Sequence, residues 1–465
     1  ITKIDESQAD KELYIKAPNE LARWLGKILP AEQVDEAMMN LNILDERCTY
    51  IPGITAHYPK YSKDADSNEL LKQICYKNID WRYPDKADWD NEHAERLEYE
   101  LGVIIQMGFA DYHLVVMDFL EYGRICGYVP TEKLPEVPLD IEGARKYVEE
   151  HGYNVGMGIG PGRGSGAGSL VTYLLGITEV DPLKYGLIFE RFLNPERITM
   201  PDIDSDFAIG VREKTIEYVR NKYGSEAVVG IITENRQGVK GAIRDAARYI
   251  GKRDCDDDKE YLELGNAMRK KVPAEPFTTF DSTYNEYCGR DGKVTKVSVY
   301  DYLCGEYSDN ETALKILSIA KNIEGMLVSY GQHAAGVIIY DSDDITDYTP
   351  IRDGSNGIRV TECNMVQAEA MKLLKMDFLG LRNLNILSEA ARLVKKTKGI
   401  IINISNIPLE GSDADEVYHY IYAKGRTKNV FQMESPGMRK YLKELLRDGK
   451  GSIEDIISMN ALYRP

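Results

Sequence analysis

The chain has 465 residues, 43% of them hydrophobic and 29% charged, with a formal net charge of −17. That length allows several domains around a substantial core, and no uninterrupted apolar run reaches the roughly 18 residues that a membrane-spanning helix requires. An acidic balance taken alone argues against a polyanion partner, but net charge sums the whole surface and leaves room for a basic groove on an acidic body.

The opening residues 1–18 are polar and acidic, unlike a secretory leader. The seven cysteines, at 48, 75, 126, 255, 288, 304 and 363, show no CxxC spacing. This points to a reduced, cytoplasmic protein without a structural zinc site. Both ends read as cuts through a longer protein or a split system. Helices are expected from Asn19 to Gly26, from Glu32 to Cys48 on the spacing of Val34, Ala37, Met38, Leu41 and Leu44, and from Glu69 to Ile79. Trp81, Tyr83 and Trp89 read as packing residues, and His57 and His93 as structural. A half-apolar helix is expected over Glu92–Phe109 and a buried one over Tyr112–Gly123, with His113 in or beside the core. A short helix over Ala144–His151 leads into the richest stretch of the chain.

That stretch, Gly156 to Phe207, contains Gly160-Pro-Gly-Arg-Gly-Ser-Gly-Ala-Gly-Ser169 and, after an apolar run and a short helix expected over Leu187–Leu193, the sequence Asp202-Ile-Asp-Ser-Asp206. Glycines allow a tight turn and close backbone approach, and amides entering the following helix form an anion site. Ser165 and Ser169 add hydroxyl donors and Arg163 a charged fork. The spacing is neither a dinucleotide fingerprint nor a Walker motif. Read as a strand, Asp202, Asp204 and Asp206 share one face, where mutual repulsion calls for a cation, and oxygen-only ligands favour Mg²⁺ or Mn²⁺. A solvated acidic edge is the alternative. Arg191 and Arg197 could reach this face or serve as internal ion pairs.

Further on, a helix over Arg212–Tyr223 and a strand over Ala227–Thr233 precede Arg236, Lys240, Arg244, Arg248 and Lys252, spaced every four residues. On a helix these form a basic ridge suited to a polyanion backbone or to solvent, opposed in that window by Asp245. Residues 254–325 read as variable and surface-facing. Ser329–Tyr340 reads as a turn feeding a buried strand, with His333 a phosphate donor, a backbone brace or a core residue. In Met371–Gly380, alternation places Leu373, Lys375 and Asp377 on one face and Leu374, Met376 and Phe378 on the other. Lys375 and Asp377 are either a buried ion pair or part of a metal centre. A helix over Arg382–Lys395 follows. The C-terminal part ends in a turn and basic helix with Arg426, Lys428, Arg439, Lys440 and Lys443.

The run GPGRGSGAGSLVTYLLGITEVDPLKYGLIFERFLNPERITMPDIDSDF, with RQGVKGAIRDAARYIG, YGQHAAGVIIY, LLKMDFLGL and VFQMESPGMRKYL, closely resembles bacterial replicative DNA polymerase alpha subunits, the C family. The resemblance is loose over residues 12–125 and strong over 156–250 and 328–465. It implies an α+β fold: a polymerase-beta-like nucleotidyltransferase palm with a mixed sheet, a mostly helical thumb and partial fingers. The implied domains are a helical lead-in at 1–95, palm at 96–233 and 328–381, thumb with an insertion at 234–327, and partial fingers at 382–465. It implies catalytic, metal-binding aspartates at Asp202, Asp204 and Asp377, leaving Asp206 outside the ligand set. Lys375 joins them as a catalytic residue, and Arg163, Gly164, Ser165, Arg191, Arg197 and His333 match positions near phosphates or primer. Two Mg²⁺ ions, with Mn²⁺ as a substitute, are the implied cofactors. Primer-template DNA and deoxynucleoside triphosphates are the implied partners, together with a polypeptide carrying the remaining fingers and C-terminal region, and a sliding clamp reached through it. No membrane is involved. Two departures stand out: nothing matches the histidine-rich PHP domain of the family, and Gly166 stands where alanine is usual. A template-independent nucleotidyltransferase and a non-catalytic DNA-binding fragment are the rival readings.

Overall fold

The computed structural model describes residues 17–47, 58–196, 201–254, 258–275, 277–288, 294–341, 344–354, 357–404 and 407–463. They fall into two compact units, Ile1–Thr55 and Ala56–Pro465. In the first, the helices Pro18–Leu25 and Ala31–Arg47 pack on each other. Each follows a proline signal, Pro18 at the first helical position and Pro30 just ahead of the second, where a missing amide proton costs nothing. His57 lies outside the described residues.

The second unit begins with the helices Ser67–Arg82, Asn91–Gln106, Ala110–Cys126 and Ile141–Glu150. Three of them start on an aspartate whose side chain accepts from a first-turn amide: Asp66 from Asn68, Asp90 from His93 and Asp140 from Gly143. The chain turns by 108° between the second and third, at Gly108, which has φ 76°. The third helix is buried nearly all round. His113 sits wholly inside it, its Nδ1 2.7 Å from the Phe109 carbonyl, and burial pushes its imidazole down to about 4, so the ring is neutral. Tyr83 is a core residue against Trp89 and His93, whereas Trp81 is a surface residue beside Gly176.

These helices cover one face of a six-stranded mixed sheet. The strands β1 (Asp204–Phe207), β2 (Val228–Arg236), β5 (Leu327–Ile339), β6 (Ile351–Asp353), β7 (Arg359–Asn364) and β8 (Lys375–Gly380) lie in the order β1-β8-β5-β2-β7-β6, while β3 (Thr283–Cys288) and β4 (Val294–Ser298) form a separate hairpin. β1 runs parallel to β8, β8 antiparallel to β5, and β5 antiparallel to β2. Alternation divides the side chains. Phe207, Val337, Ile339, Met376 and Phe378 join the main core with the helices, and Val229, Ile231, Ile338 and Leu373 pack on the other side. The α+β expectation holds at this level.

Several elements differ from their sequence signals. The strand expected to carry all three aspartates starts only at Asp204, because Asp202 precedes the first backbone pairing with β8. Leu373 likewise precedes β8. The turn expected at Ser329–Gln332 is instead the exposed first half of β5. Pairing with Thr233–Asn235 of β2 satisfies its backbone, and Gly331 fits because an added Cβ would meet the Thr233 hydroxyl at 2.9 Å. The helix expected at Leu187–Leu193 is reduced to the 3₁₀ turn Phe189–Arg191. Residues 254–325 are not merely surface: the helices Val239–Asp254, Lys259–Lys271, Val299–Glu306 and Glu311–Ile323 enclose their own core of Ile243, Ala247, Met268, Leu303 and Leu317. Small residues on facing helices allow that close packing: a Cβ on Gly265 of the Lys259–Lys271 helix would come within 2.8 Å of Ala247 in the Val239–Asp254 helix.

The rest forms the helices Arg382–Lys398, Ser412–Val417, Pro436–Leu445 and Ile453–Leu462, the last three around Tyr418, Met438, Leu442 and Met459. Gly399, with φ 70°, ends the first of them in the left-handed conformation. No single helix among the described residues is long and apolar enough to cross a membrane.

An aromatic cluster lies directly behind the aspartates. Phe378 of β8 stands 5.2 Å from Phe207 of β1 and 4.6 Å from Phe119, measured between ring centres. Phe378→Ala is expected to cost about 3–5 kcal/mol of unfolding free energy, measured by urea titration. A cost below about 1 kcal/mol would mean that this cluster does not hold β1 against β8.

Candidate active site

The parallel register of β1 and β8 sets Asp204 beside Asp377 and Phe207 beside Gly380. With Asp202 just upstream, the two aspartates make a group in which one carboxylate oxygen from each residue lies within 4.8 Å of the others. The carboxylates differ in setting. Asp202 is exposed, Asp204 half-buried and Asp377 buried. Lys375, two residues before Asp377 on the same face, places Nζ 2.9 Å from Asp377 Oδ2 and 3.9 Å from Asp202 Oδ1. Burial pulls the Lys375 ammonium down, but its hydrogen bond to Asp377 and the nearby negative charges outweigh this and hold it above the ordinary lysine range. Burial also raises Asp204, with Asp202 and Asp377 adding to the rise and Arg163 opposing it. Asp377 Oδ1 is buried and has no hydrogen-bond partner among the described residues. An orphaned buried carboxylate oxygen beside two more carboxylates fits a hard divalent cation of the Mg²⁺ type.

The glycine stretch lies along the outer edge of β1. Gly160 N donates to Asp206 O at 2.8 Å, and single bridges link Ile159 with Phe207 and Arg163 with Asp204. Gly164 has φ 75°, and a Cβ there would meet Asp204 Oδ2 at 3.0 Å, so both its backbone and the carboxylate require glycine. Arg163 places Nη1 3.0 Å from Asp204 Oδ2 and Nε 3.3 Å from Asp206 Oδ1. Ser165, itself exposed, begins the 3₁₀ turn Ser165–Gly168, in which Gly166 and Gly168 are buried.

One expectation fails here. The amides entering the helix Leu170–Leu174 are not open to an anion, because Glu100 already holds them. Its fully buried carboxylate accepts from Leu170 N at 3.0 Å, Val171 N at 3.1 Å and Ser169 Oγ at 2.6 Å. Ser169 is therefore a buried structural residue and not a ligand donor. Arg96 completes the brace: Nε bonds Glu100 at 2.6 Å, and Nη2 reaches the carbonyls of Gly168 at 2.8 Å and Leu187 at 3.2 Å. Thr172 Oγ1 donates to Gly166 O at 2.7 Å. Burial pushes the Glu100 carboxyl above the usual glutamate range, against these donors, which favour its charged form. Beneath the aspartates, buried Tyr112 accepts from Ile203 N at 3.2 Å and so pins the backbone between Asp202 and Asp204. Glu100, Arg96, Thr172 and Tyr112 were not singled out by sequence reasoning. Glu100 had a signal, since it falls on the apolar stripe of Leu97, Leu101 and Ile104.

The remaining expected residues are placed less centrally. Arg191 is exposed on its 3₁₀ turn, which packs on the glycine turn, and makes no ion pair among the described residues. Arg197 lies outside the described residues. His333 Nδ1 accepts from Ala335 N at 3.2 Å and Gly336 N at 2.7 Å, and Gly336 is the residue paired with Asp377. This is the backbone-bracing role, and it leaves the proton on Nε2. In the basic ridge, Arg236 belongs to β2 and pairs with Glu234, leaving Lys240, Arg244, Arg248 and Lys252 along the helix, with Asp245 contacting both arginines. In the C-terminal basic helix, Lys440 approaches Glu444 at 3.9 Å.

The arrangement is a group of three carboxylates that could hold a divalent cation, two on adjacent strands and one just upstream, flanked by a glycine-serine turn and two basic side chains. The chain matches the family model of the bacterial DNA polymerase III alpha NTPase domain over residues 69–131 and 146–380, and that of the alpha subunit finger domain over 383–465. It belongs to the family of bacterial DNA polymerase III alpha subunits. It is 36% identical over 401 residues to the DNA polymerase III subunit alpha of Bacillus subtilis, a match covering 86% of the chain and 30% of that protein. For the Aquifex aeolicus subunit the values are 35% over 463 residues, 97% of the chain and 36% of that protein; for Pseudomonas aeruginosa they are 34% over 468, 97% and 34%. The chain thus spans about a third of the length of the curated relatives it matches.

Glu100→Ala would take the carboxylate from Arg96 and the acceptor from three helix-entry donors, and is expected to cost about 3–5 kcal/mol in denaturant unfolding, with Glu100→Gln recovering part of it. An unchanged midpoint would remove Glu100 as the brace. At Gly166 an added Cβ would make only ordinary contacts, 3.8 Å from Ile203 and 3.9 Å from Phe192. Gly166→Ala is therefore expected to be neutral or to stabilise by about 0.4–1 kcal/mol, read from the thermal midpoint.

Proposed function

We propose that this chain carries the catalytic centre of a template-directed DNA polymerase, adding deoxynucleoside monophosphates to a primer 3′-hydroxyl with release of pyrophosphate. The observation that carries the reading is the carboxylate group of Asp202, Asp204 and Asp377 in a chain of this family. On this reading the sheet is a polymerase-beta-like nucleotidyltransferase palm, the helical region around Val239–Ile323 is the thumb, and the C-terminal helices are part of the fingers.

Asp202, Asp204 and Asp377 would hold two Mg²⁺ ions. Bound there, the ions supply charge neutralisation at the triphosphate and a lowered pKa at the attacking hydroxyl. The chain's own groups do the positioning. Lys375 orients Asp377 and offers a positive charge close to where the oxygens of the transferring phosphoryl group would build up negative charge. Gly164 gives the triphosphate close access to the backbone, Ser165 offers a hydroxyl donor, and Arg163 and Arg191 offer guanidinium groups to phosphate oxygens. Arg197 takes a similar role by its place in the motif. His333 fixes the β5 backbone opposite Asp377 and can present Nε2–H to a phosphate. The exposed cations Lys240, Arg244, Arg248 and Lys252 suit the backbone of duplex DNA despite the acidic total charge. The remaining fingers and a clamp contact would come from a polypeptide carrying the region of the relatives that this chain does not span.

Asp204→Asn or Asp202→Ala is expected to lower primer extension by about 10³-fold, the equivalent of the several kcal/mol that metal-centred charge stabilisation supplies. Primer-template affinity in a filter-binding assay should stay within about twofold. Unchanged extension in either variant would sink the assignment. Extension that persists without a template strand would favour the template-independent reading. Running the assay with and without a second polypeptide equivalent to the relatives' unmatched region separates an active chain from one that needs a partner.

A further inference from the structure

The proposed chemistry leaves one member of the Asp202-Ile-Asp-Ser-Asp206 run without a task. Asp206 is buried and lies outside the carboxylate group formed by Asp202, Asp204 and Asp377. Its side chain has one ion-pair partner among the described residues, Arg163, with Nε 3.3 Å from Oδ1. The same guanidinium sets Nη1 3.0 Å from Asp204 Oδ2. One fork thus spans two carboxylates two positions apart on β1. The backbone reinforces the match, with Gly160 N bonded to Asp206 O and Arg163 bridged to Asp204. Gly160 allows the approach, because a Cβ there would come within 3.2 Å of Asp206 Cβ. Arg163 Nη2 has no partner among the described residues, and the side chain is 41% exposed. The fork is held on two nitrogens and open on the third.

Asp204 cannot be a sufficient anchor. It belongs to the cation-binding group, and any cation that draws on its oxygens weakens their hold on the guanidinium. Asp206 stands apart from that group and keeps its charge for Arg163 alone.

We propose that Asp206 is the positioning residue of Arg163: it holds the guanidinium at the rim of the carboxylate group while Asp204 is engaged by metal, leaving Nη2 to meet the triphosphate of the incoming nucleotide. Asp206 itself is not a metal ligand. This rests on the polymerase reading above and deepens it.

The test uses two probes on this chain that need no turnover. Mn²⁺ is titrated and free ion read by electron paramagnetic resonance; binding of dATP is measured by calorimetry with Ca²⁺ as the only divalent ion. The isosteric Asp206→Asn is expected to keep Mn²⁺ affinity within about twofold while weakening dATP about tenfold. Arg163→Gln should weaken dATP by a similar factor, and the double variant no further than Arg163→Gln alone. Asp204→Asn, the control, should lower Mn²⁺ affinity about tenfold or more. A loss of Mn²⁺ affinity in Asp206→Asn equal to that of Asp204→Asn would overturn the proposal by making Asp206 a ligand. Additive losses of dATP binding in the double variant would overturn it by uncoupling the two residues. If Asp204→Asn leaves Mn²⁺ binding unchanged, the carboxylate centre itself fails, a result separate from either outcome at Asp206.

Discussion

The register between β1 and β8 is the constraint on which the site depends. Two strands from distant parts of the chain lie parallel with Asp204 level with Asp377, so two negative charges are forced together at a sheet edge. Repulsion alone would part them. Two things act against it. Behind the strands, Phe207 and Phe378 pack with Phe119, and that apolar contact is indifferent to the charges in front. In front, Lys375 and Arg163 enter from opposite sides, one from β8 itself and one from the glycine stretch along the free edge of β1. The same alternation that exposes the carboxylates to a ligand buries the aromatic rings, so neither set can be moved without the other.

A second layer controls the glycine turn. Glycine makes the turn able to approach Asp204, but the same freedom makes it costly to hold still. Glu100 and Arg96, on one helix and one turn apart, supply the missing rigidity from below. Arg96 also ties the turn bearing Arg191 to the glycine turn through the carbonyls of Leu187 and Gly168. A buried ion pair of this kind is weak evidence for stability in general. Here every partner of the carboxylate is a group whose position matters to the site. Because Glu100 saturates the entry of the Leu170–Leu174 helix, an anion at this turn has to use the exposed residues upstream of it, Arg163 to Ser165.

Much of this was legible in the sequence, and the gaps have physical causes. The acidic run and the glycine turn stood out because composition there is extreme. Alternation offered Lys375 and Asp377 as a buried ion pair or as part of a metal centre, and only the resemblance joined Asp377 to Asp202 and Asp204, since no local rule links residues so far apart. Period-two alternation correctly separated Lys375 and Asp377 from Met376 and Phe378, but it assigned Asp202 to a strand that begins two residues later. Strand ends are set by where a neighbour supplies hydrogen bonds, and that is tertiary information. The same cause turned Ser329–Gln332 from an expected turn into strand. Glu100 was visible as a carboxylate on an apolar stripe, an inconsistency that tends to mark a paired buried charge. Tyr112, in a helix buried on all sides, offered no such contrast.

The charges around the site can be counted. Asp202, Asp204, Asp206 and Asp377 face Arg163 and Lys375, which leaves an excess of two negative charges among these side chains. Burial raises the Asp204 carboxyl and the charges of Asp202 and Asp377 add to the rise, while Oδ1 of Asp377 has no hydrogen-bond partner among the described residues. An isolated site of this kind could relieve it by taking up protons. Lys375, held in its charged form by Asp377, makes that relief partial, because it neutralises one carboxylate without covering the oxygen that remains bare. On the proposed chemistry two divalent ions convert the deficit of two into a surplus of two, and the surface becomes complementary to a triphosphate only when they are present. On that proposal nucleotide binding is conditional on the metals, and Arg163 is a cation that passes from carboxylate to phosphate as they arrive. Asp206 keeps that exchange local, since it retains the guanidinium at the rim whichever partner the other nitrogens take.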